Sequence, residues 1–485
     1  MKKKKIKKFN PGPLTVMIIL SIILMVLSFI LNKIGLKGTM TDPNTFETTT
    51  ETVNNIFTRE GFSHVIGSSL KNFRAVEPLV AIIVSLITIS ILEVSGLFNH
   101  LFYKVRNVKS NVITFVVLFI SIISTIMGDY SYAILLPLVN AIYKVINRDP
   151  KVGIMTSFIG ITMGYGSGII YNHQDVILGN LTQTTARYVL DNYTYSSFSL
   201  IFIMIEKDLS KKIKCVTESE IIKSSAALRA TVITGAILLF IVVWSVIPGL
   251  PLSGWMLDDS PSSYMEKLLG NGSPFRDGFM LIILCISLIC SFIYGKVSRN
   301  IKDSREFNKA ISKTFQNTGF IFAGLFFASI MINILNWTNI STVISLNLIE
   351  LVSNTQMSGV FLVTLVLVIC IIISILNPST VSNWTLASPV LVSNLARANI
   401  SPAFTQMIFK AGDSIGKCFS PFYIYFVIML GFLYKADSDE DDINYFGTMR
   451  KMLPVLLVMA LTWVIIIIGW NLIGLPLGIK SSTTM

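Results

Sequence analysis

The chain has 485 residues, of which 52% are hydrophobic and 14% charged. Soluble domains carry about 25% charged residues, so this composition describes an integral membrane protein. The formal net charge of +12 does not point to nucleic acid as a partner, because the basic residues lie in short stretches between apolar runs, where they set topology.

In chain order, the tract Lys2–Lys8 holds six lysines and precedes an apolar run at 14–32. That run is too long for a signal peptide and no small-residue cleavage site follows, so a retained first helix with a cytoplasmic N-terminus is expected. The stretch 33–74 carries Asp42, Glu47, Glu51 and Glu60 and reads as an external loop. A span follows at 75–96, after which Lys104, Arg106 and Lys109 return the chain to the cytoplasm. Segment 111–146 interrupts itself: its apolar run ends at Met127, breaks at Gly128-Asp129, and resumes through Tyr132 to Pro137. Further spans are expected at 153–171, 190–205, 227–249, 278–296 and 316–336. The stretches 206–226 and 296–314 are basic and expected inside, and 250–275, with Asp258, Asp259 and Glu266, outside. Segment 357–397 is interrupted in turn: its run ends at Leu376, breaks at Asn377-Pro378-Ser379-Thr380, and resumes through Trp384 to Pro389. Spans at 403–434 and 453–474 complete the set, with an acidic but cytoplasmic 435–452 and an external C-terminus.

The two interrupted segments look like copies of one device. Each places an aromatic residue five positions before a proline, and Pro137 and Pro389 lie 252 residues apart. Interrupted hydrophobic segments in matching halves point to a transporter's binding site. The charge count brings the first hairpin in from the cytoplasm and the second from outside, although charge alone also allows the first to be two full spans. The expected fold is an all-α polytopic membrane protein with about nine transmembrane helices, two opposed re-entrant hairpins, an inverted repeat and broken helices at the midplane. Residues 1–225 form a first half, with hairpin 111–146 and broken helix 153–171. Residues 226–485 form a second, with hairpin 357–397 and broken helix 403–434.

Non-helical backbone at membrane depth is tolerated only where it is buried in protein or lines a watery cavity. The glycine-rich stretch Gly160–Gly168, leading to Asn172 and Asp175, and the stretch Ala411–Pro421 both read as broken helices. Unwound backbone offers carbonyls to a cation, and half-helix N-termini attract anions. A charge inside a span costs about 2.5–3.5 kcal/mol on insertion scales, so each is a functional candidate. Asp413, between Gly412 and Gly416, is the foremost candidate to hold a coupling cation; the alternative is a structural pair with Lys410 at i, i+3. Asp129 reads either as an ion-coupling group or as a helix N-cap, Asp175 as a site residue or part of an external loop, and Trp384 as a substrate-stacking or an interfacial residue. The five cysteines form no CxxC pair, and with only three histidines no zinc site or disulfide framework is expected. No cofactor is expected beyond Na⁺ or H⁺ as the coupling ion. A membrane hydrolase constellation is not apparent, and a channel would need a continuous polar lining, whereas these tips are polar only locally.

At these residues the chain resembles the AbgT family of p-aminobenzoyl-glutamate transporters, itself similar to the divalent-anion/sodium symporters. The matching pieces are Glu93–Leu97, Gly128–Leu138, Asp175–Gly179, Trp384–Val390, and Ser401–Gln406 running to Gly412-Asp413-Ser414. The resemblance implies a homodimer in the lipid bilayer of the cell membrane, with nine spans and two opposed hairpins in each protomer. It implies ion-driven uptake of p-aminobenzoyl-glutamate, or export of sulfonamide-like aryl amines. Carried over by position, Asp175, Trp384, Pro402 and Lys410 look like substrate residues. Asp413, with tip carbonyls near Asn377, looks like the ion site, to which the polar residues Ser379, Asp129 and Asn172 are added as ion-coupling candidates. Two departures stand out. The family usually has arginine in place of Lys410, and a lysine cannot make the planar bidentate grip on a carboxylate. The second tip reads Pro378–Trp384 without the family's serine-rich run ending in Ala-Lys-Trp. The expected substrate is a small organic anion or aryl amide; the alternative is a dicarboxylate handled by a sodium symporter of the same architecture.

Overall fold

The computed structural model describes residues 11–42, 45, 47–167, 172–188, 190, 225–270, 272–301, 305, 308, 312, 315–316, 318–355, 357–436, 443–477 and 483–484. The expected span 190–205 and stretch 206–226, with Cys215, lie almost wholly outside these residues, as do parts of 296–314 and 435–452. Helix α1 (Pro13–Ile34) opens with proline at its first position, where no amide donor is needed, and ends at Gly35 in the left-handed region.

Stretch 33–74 is not a plain loop. It holds strands β1 (Lys37–Thr41) and β2 (Thr48–Thr52), paired antiparallel with Lys37 opposite Thr52, and helix α2 (Arg59–Arg74). The threonine run 48–50 favours extended backbone through its β-branched side chains. Thr58 caps α2 by accepting from the Gly61 amide at 3.1 Å. This helix is amphipathic: Phe62, Val65, Ile66, Leu70 and Phe73 recur at helical spacing, with Phe62, Ile66 and Leu70 left exposed. It is held by side-chain hydrogen bonds to one asparagine in a neighbouring span: Asn72 donates to Asn333 at 2.7 Å, and Asn333 donates to Ser68 at 2.9 Å.

After α3 (Glu77–Ser95) and the short α4 (Leu97–Phe102), the first interrupted segment forms α5 (Ser110–Ile123), a 3₁₀ turn at Ser124–Met127, and α6 (Tyr130–Val145). The break falls where the sequence places it, on Gly128, whose φ of 59° and ψ of −142° suit glycine alone. Helices α7 (Pro150–Ser167), α8 (His173–Ala186), α9 (Ser225–Val246), α10 (Tyr264–Leu269), α11 (Pro274–Val297) and α12 (Gly319–Thr338) follow. Helix α13 (Ile340–Ser353), absent from the expected elements, is a 14-residue apolar helix on which β1 sits: the Thr41 amide donates to the Glu350 carboxylate at 2.9 Å. The second interrupted segment forms α14 (Gly359–Leu376), extended backbone at Asn377 and Ser379, and α15 (Thr380–Arg397). The chain closes with α16 (Pro402–Phe419), α17 (Ile424–Ala436) and α18 (Tyr445–Ile473).

In the two glycine-rich stretches the glycines themselves remain helical, and the break expected within 403–434 lies at the end of its stretch. Helix α7 stays regular through Gly160, Gly164 and Gly166 to Ser167, and residues 168–171 lie outside the described set. Helix α16 stays regular through Gly412 and Gly416; its break comes later, at Ser420–Tyr423, where it meets α17 at 43°. The glycines serve close packing instead. A Cβ on Gly412 would lie 2.6 Å from the Cys370 Cβ, and one on Gly416 would lie 2.5 Å from the Ile371 carbonyl, so α14 and α16 touch backbone to backbone.

Among the described residues, eight helical stretches are long and apolar enough to cross a bilayer, or nine if α16 and α17 count as one bent span. The architecture is that of a mostly helical, multi-pass membrane protein, the two short strands being its departure from an all-α fold. Its centre is α16, whose residues from Pro402 to Cys418 are all buried, while α9 turns Ile233, Leu239 and Phe240 outward.

Candidate functional site

A helix buried on every side is expected to be apolar, yet α16 carries Gln406, Lys410, Asp413, Ser414 and Lys417 in the protein interior. Its start is ordinary: Ser401 accepts from the Phe404 amide at 3.2 Å, and Pro402 occupies the first helical position. The charges are tolerable because they are paired. Lys410 Nζ donates to Asp175 Oδ1 of α8, and Lys417 Nζ lies 2.8 Å from Asp413 Oδ2 one turn away on α16. Lys410, Asp413, Lys417 and Asp175 are each no more than 5% exposed. The pairing of Lys410 therefore reaches across helices, and the Asp413 carboxylate is met by Lys417, a residue that sequence inspection passed over.

Each carboxylate is held by further donors. Asn172 and Asp175 form a capping box at the start of α8: the Asp175 amide donates to Asn172 Oδ1 and the Asn172 amide to Asp175 Oδ2, both at 3.1 Å. Asn172 thus orients Asp175, and Asp175 belongs to a helix rather than a loop. Asp413 Oδ1 accepts from Ser374 Oγ at 2.7 Å, and Oδ2 from Thr380 Oγ1 at 2.8 Å. Ser374 ends α14 and Thr380 begins α15, so both flanks of the second break converge on Asp413. At the tip itself, the Asn377 carbonyl accepts from Asn383 Nδ2 at 2.6 Å, and Ser379 is exposed. Asp129, at the first break, occupies the N-cap position of α6 without a side-chain cap bond and accepts from the Tyr165 hydroxyl at 3.3 Å.

Trp384 lies in the core. Its ring packs on Phe409 with centroids 4.6 Å apart, and its Nε1 donates to Thr182 Oγ1 at 3.1 Å. Thr182 in turn donates to Gln406 Oε1 at 2.6 Å. This chain of contacts fastens α15 to α8 and α16, and the indole is fully buried, as is Pro402.

Two cavities meet this cluster. A narrow one of about 10 Å³, room for about one water, lies between the ion pairs and is lined by Tyr165, Gln174, Asp175, Thr380, Lys410 and Asp413 among others. A larger one of about 630 Å³ opens at the first break, beside Gly128 and Asp129. Its walls include Met127, Ile177, Leu268, Phe275 and Phe279, with Arg276 and Gln174 as polar groups. Gln174 borders both cavities, and Val381 in the larger wall follows Thr380 in the smaller. The tertiary structure thus assembles Asp175, Asn172, Lys410 and Asp413 into one cluster, places Asp129 on the wall of the large cavity, and leaves Trp384 and Pro402 behind the site as packing. Ser374, Thr380, Tyr165, Gln174 and Lys417 complete it. Of these, Thr380 was visible as part of the second polar break, and Lys417 left a trace as a charge four positions after Asp413 in an apolar stretch.

The chain is 24% identical, over 96% of its length, to the p-aminobenzoyl-glutamate transport protein of Escherichia coli strain K12, 93% of which is matched. Two solved structures are similar over nearly their whole length. The YdaH transporter of Alcanivorax borkumensis has 22% identity and a TM-score of 0.47, with 97% of this chain and 100% of that one covered. MtrF of Neisseria gonorrhoeae, described within a class of antimetabolite efflux pumps, has 21% identity and a TM-score of 0.45, with 98% and 97% covered. The model of the AbgT putative transporter family matches residues 4–209 and 204–485, so this chain belongs to that family of membrane transporters.

Proposed function

We propose that this chain is an ion-coupled secondary transporter of aryl-amide organic anions of the p-aminobenzoyl-glutamate type. The observation that carries this reading is the buried Lys410–Asp175 pair close to a cavity of about 630 Å³ with largely apolar walls, Gln174 lining both that cavity and the small one at the pair. Pockets of 300–1,000 Å³ suit small organic ligands. The phenyl and isoleucine walls suit an aromatic ring, and Arg276 and Lys410 suit the two carboxylates of a glutamyl group attached to one end of it. A substrate carboxylate exchanges for Asp175 as the partner of Lys410. Asp175 then accepts an N–H from the substrate in place of the Lys410 ammonium. A dicarboxylate would use the two cations but leave the apolar wall unmatched. The relative named for p-aminobenzoyl-glutamate transport supports the same substrate class.

A cation gradient would drive accumulation; each charge moved inward is worth about 2.3 kcal/mol per 100 mV. The test is counterflow in proteoliposomes preloaded with p-aminobenzoyl-glutamate. Saturable exchange of labelled substrate, lost in Lys410→Ala and kept in Lys410→Arg, is the expected result. A conductance without saturable exchange would point to a channel, and exchange of succinate in preference to the aryl substrate would point to a dicarboxylate symporter.

A further inference from the structure

The Asp413 site, assigned from sequence to a coupling cation such as Na⁺, already contains a cation made by the chain. We propose that the Lys417 ammonium is the tethered occupant of this site, so that Asp413 has no seat for Na⁺ and transport does not require Na⁺. This deepens the transport reading above and rests on it only for the site's role in transport.

The geometry leaves little for a metal ion to bind. A hard cation needs several oxygen lone pairs aimed at one point. Here the carboxylate oxygens accept from Ser374 Oγ at 2.7 Å, from Thr380 Oγ1 at 2.8 Å and from Lys417 Nζ at 2.8 Å. The two hydroxyls give their protons to the carboxylate and are themselves approached by N–H groups: Lys417 Nζ donates to Thr380 Oγ1, and Asn383 Nδ2 lies 3.5 Å from Ser374 Oγ. The tip carbonyl of Asn377 receives the other Asn383 N–H at 2.6 Å. Every oxygen named here therefore faces a donor. The charge balance gives the same result. Asp413 with Lys417 is neutral, and Asp175 with Lys410 is neutral, so an added Na⁺ would be an uncompensated charge in the interior. The ammonium stem is also well supported, since Nζ lies 5.9 Å from the ring centroids of both Tyr165 and Tyr423.

The first arm of the test needs no substrate. Purified protein in detergent is unfolded thermally in NaCl and in choline chloride of equal ionic strength. The wild type is expected to have the same Tm in both. Lys417→Ser removes the ammonium but keeps Asp413, Ser374 and Thr380. It is expected to unfold at lower temperature in choline and to gain a saturable Tm rise in Na⁺, as a ligand that binds only the folded state produces. Where the serine variant does not fold in choline, Lys417→Asn is read by the same criterion. A Na⁺-specific Tm rise in the wild type overturns the proposal, as does a folded Lys417→Ser protein that retains no radiosodium in equilibrium dialysis. In proteoliposomes, wild-type exchange of p-aminobenzoyl-glutamate should be unchanged when choline replaces Na⁺, and an absolute Na⁺ requirement overturns the proposal as well. Absence of exchange in both salts counts against the substrate assignment alone, and the Tm comparison then decides the cation site.

Discussion

Lys410→Met is the perturbation that most directly probes the centre of the site. Methionine keeps the length and apolar stem of lysine and removes the charge. Lys410 is 5% exposed and Asp175 4%, so the substitution leaves a carboxylate in the interior, with the Asn172 amide at 3.1 Å still donating to it. Removing one member of a buried ion pair costs about 3–5 kcal/mol, because the remaining charge loses its compensation. Asp175→Asn strands the ammonium and keeps only one side-chain oxygen, so either Lys410 or the Asn172 amide loses its acceptor, and its cost should likewise be about 3–5 kcal/mol. In the double variant no charge of this pair remains. Its cost should then fall below the sum of the single costs by about 1–3 kcal/mol, the range of coupling between contacting groups. Unfolding by SDS in mixed micelles, applied to all four proteins, gives the three differences and the coupling energy. Additive single costs, or a Lys410→Met protein within about 0.5 kcal/mol of the wild type, would refute the assignment of this pair as buried and mutually compensated.

Three further outcomes are expected. Gly416→Ala puts a methyl 2.5 Å from the Ile371 carbonyl and 2.7 Å from the Ser374 Cβ. It should therefore cost about 1–3 kcal/mol as overpacking, whereas Gly469→Ala, which meets nothing within 4 Å, should be nearly neutral in the same unfolding assay. Trp384→Phe should keep the ring contact with Phe409 and lose the hydrogen bond to Thr182, costing about 1–3 kcal/mol, and Trp384→Ala about 3–5 kcal/mol. Binding of p-aminobenzoyl-glutamate measured on folded Trp384→Phe should then change less than on Lys410→Ala. Single cysteines at Asp129 and Ser379 in a cysteine-free background should react with impermeant thiol reagents from opposite membrane sides; labelling of both from one side would exclude opposed re-entry of the two interrupted segments.

Much of the architecture was legible because it depends on local composition. An apolar run long enough to span, or a glycine and a proline that end one, acts within a few residues, and the breaks at Gly128 and at Asn377–Ser379 stand where those residues dictate. Buried charge was legible for a similar reason: aspartate in an apolar stretch has to be accounted for, and Asp175 and Asp413 both entered the central cluster. The strands of 33–74 were not legible, since a short run of threonines carries no alternation, and α2 was passed over because acidic residues and the absence of a span-length apolar run made the whole stretch read as a loop, although Phe62, Val65, Ile66, Leu70 and Phe73 stand at helical spacing. Glycine was misread at α7 and α16 because its lack of a side chain serves two opposite ends, unwinding a helix or letting two helices touch, and only the neighbouring backbone separates them. Spacing along one helix also proposed Lys410 as the partner of Asp413. The tertiary structure instead pairs Lys410 with Asp175, 235 positions away, and gives Asp413 to Lys417. Sequence spacing states which side chains of one helix share a face, whereas the partner across the interface is decided by how the helices pack, and buried charges take the arrangement that leaves none of them alone.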